Sequence, residues 1–426
     1  MTTVIEYRLA GVPEFRQQEW QDLRRSASGV LTELLDVASD NPSPEQMLGW
    51  IKAPEAGFAK ACTDYHSENL GFFYDSVFVC GTGGSYLGCK MLSDLLPFCR
   101  FMGGQEALET MPLYHVGQHV SAYEFTKLRE AMRSSQPLIV FISKSGTTFE
   151  TSIGLSFLLE DLKEKFPDNY KRRIVSVSSQ DLTQKPGFDD LLTQPVLRLP
   201  ADVGGRFSVL ASAGLAPLCF AGFDLSDLVA GAAQCVQDAG AWEPDADFFL
   251  FAADRAGLGK TSNLEMWMYG DPALEFLALW WQQLYAESEG KDQKGALPVP
   301  VQWSRDLHSV GQWLQDGPKP YWQLFVDAKS AGEFDGMEAM HSVHNAGRKF
   351  DIKHIKSSLG AAVRKAHLDS GSQQMCLSIP EWSAHCLGYF MQWSMLACAV
   401  TCKLQGINAF DQPGVEAYKK EFVNAL

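Results

Sequence analysis

The sequence predicts an α/β protein built on doubly wound, mainly parallel sheets, and three observations predict it. The chain has 426 residues, more than one ordinary core holds and suited to two or three α/β units. Residues 76–92 and 138–159 each read as an apolar strand, a glycine- or hydroxyl-rich turn and a helix. About sixty residues separate the two, a spacing that fits neighbouring parallel strands whose turns open at one carboxyl edge.

Composition narrows the class. Hydrophobic residues make up 46% of the chain and charged residues 20%, the balance of a soluble globular protein. The start, MTTVIEYRLAG, lacks a basic segment followed by an apolar one, so no secretory signal is expected. No apolar run reaches the roughly 18 residues of a membrane span, so no membrane partner is expected. The ten cysteines are scattered, none in a C-x-x-C pair, and most sit in apolar runs where a thiol packs as a small hydrophobe. A reducing, cytoplasmic setting follows as an expectation. A net charge of −15 argues against a nucleic-acid partner. An anionic ligand would then need cations and helix N-termini gathered locally.

Residues 1–70 read as polar helices and carry no evident chemistry. SVFVC at 76–80 reads as a strand, GTGGS at 81–85 as a turn, and a helix follows. The glycines, Gly84 among them, let backbone approach a ligand, and Ser85 offers a hydroxyl. A dinucleotide site would need a third glycine where Tyr86 stands. LIVFI at 138–142 reads as a buried strand leading into SKSGTT at 143–148 and a helix from Phe149. Ser143, Lys144, Ser145, Thr147 and Thr148 thus crowd a helix N-terminus, whose N–H groups and dipole suit a phosphate. A hydroxyl-capped helix without a ligand is the alternative. Residues 173–178 read as a further strand. DVGGRFS at 202–208 sets Arg206 at the start of an apolar helix over 209–220; a tight turn with a surface arginine is the alternative. Residues 223–262 read as mostly helical.

Asp271 as N-cap and Pro272 in the first turn open the next helix. Its apolar stripe, Leu277, Trp280, Trp281 and Leu284, reaches Glu287 by a step of three, and Glu289 is expected to face away. A carboxylate at the inner end of such a stripe is costly unless paired or functional. Partial desolvation would make it a better base. A structural acid paired with a lysine such as Lys291 is the alternative. Residues 297–303 read as a strand, after which Ser304 caps a helix whose first turn holds His308. That imidazole can move a proton or serve structurally. Residues 321–326 read as a strand. His341 and His344 lack a third ligand at metal spacing and are read as helix-face residues. A strand over 374–379 precedes a long helix from Pro380 to about Leu404, with Cys398 and Cys402 in its core-facing surface. In FDQPGVEAYK at 410–419, Asp411 is expected to cap a final helix with Pro413 in its first turn. Val415, Tyr418 and Phe422 would share a face with Lys419, while Lys420 pairs with Glu416.

Three of these motifs together resemble the glucose-6-phosphate isomerase family in its shorter bacterial form. DVGGRFSVLASAG at 202–214 and FDQPGVEAYK at 410–419 are long and specific; SKSGTT at 143–148 is shared by many sugar-phosphate proteins. The similarity extends from about residue 70 to the C-terminus. It implies two sugar-isomerase (SIS-type) three-layer α/β/α subdomains with doubly wound, mainly parallel sheets, at 70–200 and 263–404. A helical segment at 1–69, the arginine motif with connecting helices at 201–262 and a catalytic-lysine helix at 405–426 would complete the chain.

The resemblance also implies roles. Ser85, Ser143, Ser145 and Thr148 would hold the substrate phosphate, with Gly84 and Lys144 in the same loops. His308 and Lys419 would assist hexose ring opening. Glu287 would carry the proton between C2 and C1 through a cis-enediol. Arg206 would stabilise the negative charge of that intermediate, and Gln412 would contact the substrate. No cofactor and no metal are expected, and the family is usually a homodimer with shared sites. Two alternatives stay open: a dual phosphoglucose/phosphomannose isomerase, since C2 stereochemistry depends on pocket shape, and a non-catalytic sugar-phosphate sensor, which would need the loop but no base.

Overall fold

The computed structural model describes residues 5–40, 42–146, 148–188, 191–330, 338–341 and 348–425. Among these the strands, in chain order, are β1 (Glu6–Ala10), β2 (Ser76–Cys80), β3 (Leu113–Val116), β4 (Pro137–Ile142), β5 (Ile174–Ser178), β6 (Leu197–Arg198), β7 (Leu264–Tyr269), β8 (Leu297–Gln302), β9 (Tyr321–Ser330), β10 (Glu338–His341), β11 (Arg348–Asp351) and β12 (Gln373–Glu381). The chain divides into two units.

The smaller unit comprises Asp36–Asp94 and Ala107–Ala233. Its sheet has the order β3-β2-β4-β5-β6 and is parallel throughout. The two strands expected to be neighbours are: Val77 lies opposite Leu138 and Val79 opposite Val140. Every residue of β2, β4 and β5 is buried, as a sheet covered on both faces requires. On one face Phe78, Ile139 and Phe141 pack with Phe125, Leu128, Leu155 and Leu158, from the helices Ala122–Ser134 and Phe149–Lys165. The helix Ser212–Phe220 also packs on β2 and β5.

The larger unit comprises Met1–Leu35, Leu95–Glu106 and Gln234–Leu426. Its sheet has the order β1-β12-β9-β7-β8, with β12, β9, β7 and β8 parallel and β1 antiparallel at the edge. The N-terminal segment is therefore not wholly helical: Glu6 pairs with Ser378 and Ala10 with Gln374. A five-residue edge strand is too short to show a period, and its pairing partner lies far along the chain.

Other differences concern element ends. β12 continues through Pro380 to Glu381, and the long helix starts at Ala384, where Ser383 Oγ accepts the Cys386 N–H at 3.2 Å. Its core-facing reading holds, since it is buried from Cys386 to Cys402. β10 and β11 form an antiparallel hairpin, so His341 ends a strand rather than lying on a helix; His344 lies outside the described residues. The last helix, Gly414–Ala425, begins after Pro413. No helix among the described residues is long and apolar enough to cross a membrane.

Candidate active site

The smaller unit draws three motifs together beyond the carboxyl ends of β2, β4 and β5. β2 runs into the 81–85 turn, and Gly84 and Ser85 open the helix Gly84–Met102. A Cβ on Gly84 would overlap the carbonyl group of Gly205 and lie 2.7 Å from the Arg206 nitrogen. Gly84 is thus the residue that lets the first helix turn touch the arginine motif. One turn on, a Cβ on Gly88 would press on Val209. This is the backbone approach that the glycines of 81–84 suggest, made to a protein segment.

β4 runs into the 143–148 loop. Ser143 is buried, and its Oγ accepts the Gly146 N–H at 3.0 Å and donates to Thr148 Oγ1 at 3.4 Å. Gly146 has φ +68°, the left-handed conformation that closes this turn without a Cβ penalty. Thr148 occupies the N-cap of the helix Phe149–Lys165, yet its side chain makes no capping bond. The hydroxyl-capped alternative therefore does not account for Thr148. Thr147 lies outside the described residues. Ser145 and Thr148 are half-buried. Lys144 reaches away from its own loop: its Nζ donates to the Val203 carbonyl at 3.4 Å and lies 3.9 Å from Met47 Sδ. Burial lowers its pKa, and the nearby Asp202 opposes that shift. So 143–148 is tied to the segment that leads into Arg206. Its carbonyl is also held, by Ser178 Oγ at 3.1 Å and Ser179 Oγ at 2.7 Å.

Arg206 lies in a 3-10 turn, Gly205–Phe207, and is 3% exposed, which removes the surface-arginine alternative. Its guanidinium sits 5.7 Å from the Phe207 ring, which in turn packs on Trp50 at 4.8 Å. A buried guanidinium beside two N–H-rich turns is suited to anionic oxygen.

The larger unit carries the remaining candidates. Asp271 caps the 3-10 turn Pro272–Leu274, accepting the Ala273 N–H at 3.1 Å, and the helix Glu275–Glu289 follows. Glu287 is half-buried near its end, and Gln283, one turn earlier, donates to Glu287 Oε2 at 3.1 Å. Gln283 was not legible as a partner, although its i, i+4 spacing is the available signal. Glu289 does not face away: it is buried, with Arg255 Nε on its Oε1 at 3.0 Å and Nη2 on its Oε2 at 3.1 Å. Arg255 also pairs with Glu265, whose Oε1 accepts the Trp281 indole N–H at 2.8 Å. The structural acid of this helix is Glu289, and its partner is Arg255 rather than Lys291. Lys291 instead pairs with Asp411 at 2.8 Å.

His308 ends a 3-10 turn, Asp306–His308, and is exposed. Ser304 does not cap a helix there, and the helix that follows is Gly311–Asp316. Among the described residues no hydrogen bond or ion pair joins His308 to Glu287 or Lys419. Gln412 is half-buried just before the helix Gly414–Ala425, on which Lys419 is exposed; Tyr418 and Phe422 are exposed with it.

Two mainly parallel sheets, with a hydroxyl- and glycine-lined turn beside a buried arginine, are the marks of an α/β protein that handles a phosphorylated small molecule. Comparison narrows the class. Residues 68–325 match the family model described as phosphoglucose isomerase. A glucose-6-phosphate isomerase of Bacillus cereus is 32% identical over 406 residues, covering 89% of this chain and 86% of the relative. One from Acetivibrio thermocellus is 30% identical over 432 residues, covering 96% and 92%. Among solved structures, a hypothetical protein from Thermus thermophilus has a TM-score of 0.80 at 25% identity, covering 98% of this chain and 99% of that one. A glucose-6-phosphate isomerase from Chlamydia trachomatis shares the fold, with a TM-score of 0.73 at 18% identity over 99% of this chain and 88% of that one. The chain belongs to the phosphoglucose isomerase family.

Proposed function

We propose that this chain interconverts glucose 6-phosphate and fructose 6-phosphate. Ser85, Ser143, Ser145 and Thr148, with Lys144 and Gly84 in their loops, hold the phosphate. His308 and Lys419 move protons in ring opening, and Gln412 contacts the sugar. Glu287 takes the C2 proton and returns it at C1, so the redox change stays within the sugar. Arg206 stabilises the enediolate charge through a preorganised, water-poor contact. The observation that carries the reading is the packing of Gly84 on Gly205 and Arg206, which supports phosphate and oxyanion groups acting on one small ligand. A homodimer acting in the cytoplasm, on a hexose 6-phosphate and without nucleic acid or membrane, completes the proposal.

The test is conversion of fructose 6-phosphate by the purified protein, with glucose 6-phosphate and mannose 6-phosphate quantified separately. Glucose 6-phosphate alone is expected, and Glu287→Gln should lower turnover by at least about 10³-fold with substrate still bound. Both products would make the protein a dual-specificity isomerase. Binding without any product would make it a sensor. Normal turnover in Glu287→Gln would remove that residue as the base.

A further inference from the structure

The segment after the Glu287 helix has an unusual backbone. Asp292 and Gln293 are consecutive non-glycine residues with φ of 53° and 59°, and Gly295 follows at +81°. A Cβ on Gly295 would lie 2.6 Å from the Glu289 carbonyl oxygen, so the chain folds tightly back on the helix end. Two adjacent left-handed residues cost free energy and persist only where surrounding contacts hold them. The side chains of its two lysines both reach the C-terminal segment. Lys291 Nζ pairs with Asp411 Oδ1 at 2.8 Å and donates to the Asn408 carbonyl; Lys294 Nζ donates to the Gln405 carbonyl at 3.1 Å. Asn408 Oδ1 in turn accepts the Phe410 N–H at 3.0 Å. The Lys291 side chain is 10% exposed and Asp411 is 52% exposed. On the helix side the same segment is fixed by the buried Arg255 fork on Glu289.

We infer that Lys291 is a positioning residue for the isomerase reaction. It straps the C-terminal segment, Gln412 and the Lys419 helix beyond it, to the end of the helix that carries Glu287. The inference rests on the functional reading above. One strained loop joins the end of the Glu287 helix to the segment that leads to Lys419, and it does so through a charge. An ion pair with one exposed partner adds little to global stability. Its loss should therefore appear in rate more than in folding.

The experiment compares Lys291→Met, Asp411→Lys and the charge exchange Lys291→Asp/Asp411→Lys with the parent protein, by steady-state kinetics on fructose 6-phosphate and by thermal melting. Lys291→Met should lower kcat/KM at least tenfold while the melting midpoint moves by less than about 3 °C. The charge exchange should recover at least tenfold over Asp411→Lys alone. Lys291→Met within twofold of the parent would overturn the inference. So would a loss that only tracks a large fall in melting midpoint, or a charge exchange no better than the single variant. Glu287→Gln is run in parallel. If that variant stays active, the functional reading fails; if it is inactive while Lys291→Met is normal, the strap alone fails.

Discussion

Replacing Gly84 with alanine tests whether the contact between the 81–85 turn and the arginine motif sets activity. The added Cβ would lie 2.7 Å from the Arg206 nitrogen and closer still to the Gly205 carbonyl group. Against an ordinary contact of 3.4 Å the shortfall at the Arg206 nitrogen is about 0.7 Å, and the obstructing atoms are backbone, so no side chain can swing aside. Either the helix start carrying Ser85 or the turn carrying Arg206 must move. A displacement approaching 1 Å of a positioned charge costs on the order of 10²-fold in rate. The overpacking itself costs about 1–3 kcal/mol of stability. A coupled assay of glucose 6-phosphate formation, run beside thermal melting, reads both effects. Gly205→Ala is the stability control, because its Cβ would meet nothing within 4 Å; its melting midpoint should match the parent's. Gly84→Ala with kcat/KM within twofold of the parent would refute the argument that this contact sets the arginine.

Further expectations are independent of that contact. Ser143→Ala combined with Thr148→Ala should raise KM about tenfold or more with kcat little changed, since phosphate groups grip ground and transition states alike; a fall in kcat alone would give the loop a different role. His115 supplies a pH test. Burial, helped by Lys90, lowers its pKa to about 3, and among the described residues neither ring nitrogen has a hydrogen-bond partner. The unfolded chain binds that proton near pH 6.5, so between pH 6.5 and 3 the unfolded state holds more protons. Stability is therefore fully present above that window and is lost as pH falls through it, by up to about 1.4 kcal/mol per pH unit. His115→Phe should narrow the gap in melting midpoint between pH 7.5 and pH 5; an unchanged gap would show that the acid sensitivity lies elsewhere.

The smaller unit was largely legible because its signals are local. Buried parallel strands write themselves as unbroken apolar runs, and the turns between strand and helix carry their glycines and hydroxyls in sequence. The adjacency of β2 and β4 followed from the repeated pattern alone. What could not be read is where distant motifs meet: that Lys144 would reach Val203, or that Gly84 would be the point of closest approach to Arg206. Such contacts join residues some sixty to 120 positions apart and leave no period in the chain. Ends of elements failed for a smaller reason. A capping residue such as Ser304 is common in turns, and two local rules compete at the same position.

The Glu275–Glu289 helix shows how one reading can hold in kind and miss in detail. Stepping by three from Leu284 leads to Glu287, and stepping by four from Trp281 leads through Tyr285 to Glu289. Both steps are legitimate on a helix. The helix is buried on a wide face, Leu277, Ala278, Trp280, Trp281, Leu284, Tyr285, Ser288 and Glu289, so the buried stripe drifts along the second path. Glu289 can follow it inward only because Arg255, fully buried and stacked 3.8 Å above the Tyr285 ring, neutralises its charge with a two-point grip. Burying an unpaired carboxylate there would cost far more than the helix gains. The consequence reaches Glu287. A helix whose last turn is locked by an acid on its inner face holds the residue two places earlier at the rim, half-buried, with Gln283 orienting its carboxylate. The base role proposed for Glu287 needs a carboxylate that is oriented yet open enough to meet a substrate carbon. In this chain the cation that secures the last turn comes from a separate helix, Asp247–Leu258, and its spacing from Glu289 carries no pattern a sequence could show.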